Sequence, residues 1–251
     1  MLQRVPLIKV LFIAVIAIVL FDDHSGRAQT QSGPGSHSFL LHLSTKVNTT
    51  DLQIRYFITG PFGGYGSFVR PRPNVRDYVI ETSHENMPAE TLKIVIYCPG
   101  YGIELLNIPT LSAVSARKAS VELKPLPSVR LSGKIVTPEG RSGKEFKTEV
   151  TYQAYWVHEF FKIADGMVTA FKVASIDVTQ DGSFSVAIPD FAHDPAVTTF
   201  TEKGALILTT RDAKMNDMSY TLESADHPGK DARVEIAPKY DHLLLYAKPN
   251  R

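Results

Sequence analysis

Two segments in the second half of this 251-residue chain alternate apolar and polar residues over the length of a strand and meet glycine-containing turns. The first is Val129-Arg130-Leu131-Ser132-Gly133-Lys134-Ile135-Val136. The second is Thr179-Gln180-Asp181-Gly182-Ser183-Phe184-Ser185-Val186-Ala187-Ile188-Pro189. Side chains of an extended chain point to opposite faces in turn, so a period of two buries one face and wets the other. The pattern recurs upstream: Phe39, Leu41 and Leu43 share one parity, as do Leu52, Ile54, Tyr56 and Ile58, and Leu92, Ile94 and Ile96. Val150, Tyr152, Ala154 and Trp156 are also in phase, and strands are expected within Met167–Val178, Ala205–Thr210 and His242–Ala247. Asp181-Gly182 reads as a hairpin turn, and Gly60-Pro61-Phe62-Gly63-Gly64-Tyr65-Gly66 as a break between strands. Helical periodicity is weak and confined to Trp156–Ile163. Short strands spaced by turns predict an all-β chain of two tandem antiparallel β-sandwich domains.

The N-terminus has the layout of a secretory signal peptide. Arg4 and Lys9 precede an apolar run from Val10 to Phe21, and the small residues Gly26 and Ala28 stand before Gln29. That run is short for a membrane span, which needs about 20 residues; an uncleaved anchor is the alternative. The expected organisation is a signal peptide over 1–28, a flexible Ser/Gly/Pro spacer over 29–37, a first sandwich over 38–125 and a second over 126–251. Leu123-Lys124-Pro125-Leu126-Pro127 is an extended link between the sandwiches. The formal net charge is +1. Arg4, Lys9 and Arg27 against Asp22 and Asp23 account for it, so the remainder is neutral and lacks the excess of cations that nucleic-acid binding demands. With one cysteine, Cys98, the chain cannot form an internal disulfide. An exported protein of this kind rests on its core, which 43% apolar residues permit.

Several residues invite chemistry that their spacing does not support. His158-Glu159 begins a zinc-protease motif, but position 162 holds Lys162 where a second histidine is needed. Asp177, Thr179, Asp181 and Gly182 resemble the start of a calcium loop, whose twelfth position needs a bidentate Glu and here is Ile188. Ser115-Ala116-Arg117-Lys118 lacks the other parts of an acyl-enzyme site. Cys98 closes an apolar strand and reads as a packed small hydrophobe. His193-Asp194, Asp226-His227 and Asp241-His242 are neighbours that point different ways along an extended chain. Arg70-Pro71-Arg72-Pro73, with Arg76, reads as a solvated basic loop. The sequence thus names no catalytic, cofactor or metal residue. Its best candidates for a binding surface are aromatic: Phe62, Tyr65 and Phe68 among glycines, and Tyr155, Phe160 and Phe161 beyond a strand whose Tyr152 and Trp156 face inward.

Leu131-Ser132-Gly133-Lys134-Ile135, then Pro138-Glu139-Gly140, and later Thr179, Asp181, Gly182, Phe184 and Val186 resemble the strand and turn signature of the carboxypeptidase regulatory-like family, whose fold is similar to transthyretin. The resemblance covers about residues 128–210 and departs between Gly140 and Asp177, where this chain is longer. Leu92–Tyr101 is similar to the family's closing strand, so the resemblance implies that the two tandem sandwiches are transthyretin-like or immunoglobulin-like. The whole chain also resembles a group of uncharacterised exported bacterial proteins, through Gly60–Gly66 and Ile96-Tyr97-Cys98-Pro99-Gly100. The family resemblance implies a non-catalytic module that packs beside, presents or binds something else. The expectation is therefore an exported, periplasmic or extracellular interaction or structural module with a protein or carbohydrate partner. A carbohydrate-binding module using aromatic loops and a hydrolase with a dispersed His/Asp site are the alternatives.

Overall fold

In the computed structural model, the residues described are 38–48, 50–60, 63–84, 87–88, 91–109, 118–156, 169–213, 219–225 and 227–249. The first half supplies β1 (Ser38–Leu43), β2 (Gln53–Gly60), β3 (Gly63–Val69), β4 (Asp77–Glu81), β5 (Ser83–His84), β6 (Met87–Pro88), β7 (Thr91–Tyr97), β8 (Glu104–Ile108) and β9 (Lys118–Val121). The second supplies β10 (Ser128–Val136), β11 (Phe146–Trp156), β12 (Thr169–Ile176), β13 (Ser183–Pro189), the short helix α1 (Pro195–Phe200), β14 (Thr201–Asp212), β15 (Ser219–Ser224), β16 (His227–Asp231), β17 (Arg233–Glu235) and β18 (Tyr240–Pro249). The protein is all-β, with its sheets packed as sandwiches.

A three-stranded sheet, β4-β1-β9, faces a four-stranded sheet, β3-β2-β7-β8. The predicted parities fill the space between them: Phe39, Leu41 and Leu43 from β1 meet Ile54 and Ile58 from β2 and Leu92, Ile94 and Ile96 from β7. Tyr56, assigned to the same face, is only half-buried. The second half forms a nine-stranded sheet in the order β12-β11-β14-β15-β18-β10-β13, with β16 on β15 and β17 on β14. Its end strands β12 and β13 come close without pairing. The sheet therefore curls around a core that includes Leu131, Val150, Tyr152, Phe171, Leu206 and Leu245.

The two cores share a layer. On β7, Leu92, Ile94 and Ile96 enter the first core, while Val95 and Tyr97, of the opposite parity, enter the second with Phe57 of β2 and Ile103. Val95 and Tyr97 are 0% exposed. Full burial of a large apolar side chain contributes about 1.5–3 kcal/mol, so this second face of β7 is a substantial joint between residues before and after position 125. The predicted link is itself tied on both sides. Gly102 donates to the Lys124 carbonyl at 2.9 Å, Leu126 donates to that of Gly100 at 3.0 Å, and Asp190 donates to that of Pro127 at 2.8 Å.

Three features depart from the sequence expectation. Most pairings are antiparallel, but β1–β9 and β10–β18 are parallel; each joins strands far apart in the chain, which gives the crossover that parallel pairing requires. Gly63–Gly66 belongs to β3 rather than to a turn, because β2 supplies a pairing edge up to Gly60↔Gly63. Asp181-Gly182 is a turn but not a hairpin: β12 pairs with β11, and β13 with β10, so the turn carries the chain between the two ends of the sheet order.

That turn depends on Gly182. Its φ is +89°, and a Cβ there would lie 2.1 Å from the Ile135 carbonyl oxygen. The Gly182 carbonyl in turn accepts the Ile135 N–H at 2.8 Å. The hydroxyls of Thr179 and Ser183 bond the Asp181 carboxylate and hold its pKa down to about 2. Gly182→Val should lower stability by about 2 kcal/mol or more, from a disfavoured φ and a backbone collision together. Thermal unfolding measures this, and an unchanged Tm would contradict the turn.

Candidate functional site

The most buried carboxylate among the described residues is Asp194, which is 1% exposed. A 3-10 turn, Phe191–His193, delivers the chain to Asp194, and Pro195 occupies the first turn of α1. Proline fits there because its missing N–H would be unpaired in any case. Asp194 caps α1 by accepting the Ala196 N–H at 2.9 Å through Oδ1. Through Oδ2 it accepts the Ile103 N–H at 2.8 Å, which ties α1 to the loop after β7. Around it lie Phe191, stacked on Tyr152 with centroids 4.5 Å apart, and Tyr97, 6.2 Å from Phe191. Burial raises the Asp194 pKa, and the N–H donors of Ile103, Ala196 and Val197 offset only part of that effect. Nearby, the Gln53 side chain imitates a strand against β12: Nε2 donates to the Lys172 carbonyl at 2.6 Å and Oε1 accepts its N–H at 3.0 Å.

These contacts hold a joint and present no reactive group to solvent. Cys98 is 2% exposed, and burial, with Asp51 adding to it, pushes its thiol up to about 11. A thiol at that value is a poor nucleophile at neutral pH. Arg141 bonds Asp212 at 2.7 Å and Glu145, and its guanidinium lies 5.1 Å from the Phe146 ring centre. This is a structural clamp that raises the Arg141 pKa. Of the adjacent His/Asp pairs read in the sequence, His193 bonds Asp190 at 2.7 Å, because Asp194 turns inward. Asp226 lies outside the described residues, and Asp241 and His242 are both exposed. A further surface pair joins His42 and Asp77 at 2.8 Å across β1 and β4. Among the described residues no group of three His, Cys, Asp or Glu is placed to hold a metal ion. No described helix is long and apolar enough to cross a membrane.

The aromatic candidates fall on two elements. Phe62, Phe160 and Phe161 lie outside the described residues. Positions 65 and 68 are both on β3, with opposite parity, and position 155 is near the end of β11, opposite Lys203. Phe68 is half-buried, with the Arg55 and Arg70 guanidinium carbons 5.3 and 5.9 Å from its ring centre. β3 is an edge strand of the four-stranded sheet. It spans seven residues, Gly63-Gly64-Tyr65-Gly66-Ser67-Phe68-Val69, without a charge or a proline. The opposite edge, β8, begins with Glu104. The edges of the three-stranded sheet are shorter, and they carry Asp77 and Glu81 on β4 and Lys118 on β9.

A second surface was missed by the sequence reading. Leu131 pairs with Tyr240 and Gly133 with Leu243, so the β10–β18 ladder slips at an irregularity containing Asp241 and His242. His242 has φ 61° there, an uncommon conformation for a residue other than glycine. Gly133 permits the close approach, since a Cβ would lie 2.2 Å from the Leu243 carbonyl oxygen. A groove of about 480 Å³ opens beside it, lined by Ser132, Lys134, His242, Phe184, Leu243 and Leu244. Val136, Leu244 and Tyr246, the large apolar side chains that are exposed among the described residues, all stand on β10 and β18. The consecutive run Leu243-Leu244-Leu245-Tyr246 was the available signal, because a strand apolar at both parities exposes part of what it carries.

No protein-family model and no curated protein matches this chain. Among solved structures it is similar to a candidate adhesin from Bacteroides ovatus, at 9% identity over 80% of this chain and 82% of that one, with a TM-score of 0.24. It is also similar to the major pilin of Streptococcus pyogenes, at 11% identity over 86% and 99%, with a TM-score of 0.20. The shaft pilin SpaA of Lactobacillus rhamnosus GG gives 9% identity over 86% and 98%, with a TM-score of 0.21. Likeness at these scores carries no argument about function.

Asp194 generates a signed prediction. Its native pKa is raised, so the folded state binds the proton more tightly than the unfolded state does. Its contribution to stability therefore grows as pH falls from neutrality through the raised value to the ordinary range near 4. Asp194→Asn should remove this pH dependence and cost less than Asp194→Ala. The alanine variant strands two buried N–H groups, at about 1–3 kcal/mol each. Urea unfolding of the three proteins between pH 4 and 7 measures both effects; an alanine variant as stable as the parent would contradict the joint.

Proposed function

We propose that this protein is an exported, non-catalytic interaction module of the cell envelope that meets a protein partner by strand addition at β3. The single observation carrying this reading is the bare edge itself: β3 has neither charge nor proline, and it is the longest edge strand of the three- and four-stranded sheets. Soluble proteins blunt such edges with charge, proline or brevity, because unpaired N–H and C=O groups recruit other strands. Strand addition takes affinity from those groups and specificity from alternate side chains. On this reading Phe62, Tyr65 and Phe68 are the candidates for that specificity, and Tyr155, Phe160 and Phe161 are the candidates for a second aromatic contact.

The module consists of two sandwich domains, residues 38–125 and 126–251, behind a signal peptide. The turn and strand signature of the second domain supports its placement with the carboxypeptidase regulatory-like modules. Arg70, which directly follows β3, and Arg72 are exposed and favour an acidic segment in the partner.

A photo-crosslinking residue at position 68 of the exported chain tests the reading. We expect a discrete adduct with one second polypeptide in the native envelope, lost when Gly66→Lys places a charge on the edge. Absence of an adduct at position 68, or an adduct unchanged by Gly66→Lys, would contradict strand addition at β3.

A further inference from the structure

We propose that the groove between β10 and β18 binds an acidic sugar residue, with Lys134 and His242 meeting its carboxylate and Leu244 and Tyr246 its apolar face. The inference goes beyond the protein contact at β3 and rests on other residues. The groove's volume, about 480 Å³, falls in the range of small-ligand sites, roughly 300–1,000 Å³. Its lining has the mixture such sites have: apolar Phe184, Leu243 and Leu244, with a few donors, Ser132, Lys134 and His242.

The backbone at the groove is strained. His242 sits at φ 61° in the slipped ladder. A conformation of this kind persists only where the surroundings impose it, and it clusters at functional sites. Here the slip puts His242 among the residues that line the groove, with Lys134 and Leu244.

The adjoining face is a platform. Tyr246 pairs with Val136 and Leu244 with Lys134 across the parallel ladder. The three apolar side chains are 36–39% exposed. Tyrosine offers a flat apolar body with a polar tip, which suits a sugar ring that has C–H groups on its face and hydroxyls on its rim.

Charge selects an acidic sugar over a neutral one. Lys134 has no carboxylate partner among the described residues, whereas Lys248 on the same strand pair is neutralised by Glu223. Arg130 is exposed further along β10. Asp241 is exposed and lies outside the groove lining. A cationic groove attracts a carboxylate, and a charge-assisted hydrogen bond from Lys134 fixes it.

Titration of the full exported chain with trigalacturonate and with sialyllactose, read by calorimetry, tests the assignment, with maltotriose and hexaglutamate as controls. We expect saturable binding of at least one acidic sugar and at least tenfold weaker binding of both controls. Lys134→Ala and Tyr246→Ala should each weaken the acidic sugar by about tenfold while leaving the unfolding temperature unchanged. Binding of neither acidic sugar overturns the proposal, as does equal binding of maltotriose. Tighter binding of hexaglutamate overturns it in favour of an acidic peptide. Acidic-sugar binding indifferent to both substitutions overturns the location. Neither substitution touches β3, so crosslinking at position 68 stands or falls separately.

Discussion

Strand β7 has no wet face over Ile94–Tyr97, and the rest of the architecture follows from how its two sides are covered. Leu92, Ile94 and Ile96 are the floor of one core, and Val95 and Tyr97 are the edge of another. A strand buried on both sides needs a layer on each side, and here the layers come from distant parts of the chain. β1, β4 and β9 cover one side. The curled nine-stranded sheet, with Phe171 and Phe191 against Tyr97, covers the other. Exposing the Val95 and Tyr97 face would return two large apolar side chains to water, so the sheets before and after residue 125 stabilise each other.

Polar groups fix the angle of that joint where apolar contact alone would let it slide. Burial of a carboxylate is costly unless it is hydrogen-bonded, and Asp194 spends its two oxygens on N–H groups from different halves of the chain. Gln53 adds a two-bond clasp to the edge of β12. Directional bonds of this kind contribute about 1 kcal/mol each in net terms, less than the apolar faces, but they fix register. With the joint closed, the surfaces we propose for recognition are the β3 edge and the outer face of β10 and β18.

Much of this was legible in the sequence. Parity alone placed Phe39, Leu41, Leu43, Ile54, Ile94, Val150 and Tyr152 inside, because a half-buried strand declares its dry face. Cys98 was rightly read as packed. What was not legible depends on partners distant in sequence. Val95 and Tyr97 occupy the polar parity of β7 on a period-two reading, and only the second sheet makes them core. Asp181-Gly182 announced a turn with positive φ, but not that its flanking strands pair elsewhere. Asp194-Pro195 is a helix-start signature, but beside His193 it reads equally as a His/Asp pair, and only the fold shows that the carboxylate turns inward as a cap. The groove was invisible for a physical reason: a histidine at positive φ has no local sequence signature, and the ladder slip that puts it there is a property of two strands.

The most direct test is native-state hydrogen exchange of the amides of β7, β1 and β11 in the intact chain. If β7 is held from both sides, its amides belong to the slowest class, and those of β1 and β11 open with the same free energy in one global event. Exchange of β7 and β1 together at a lower free energy than β11 would show the first-half sheets opening while the second core stays shut, and would contradict a shared layer.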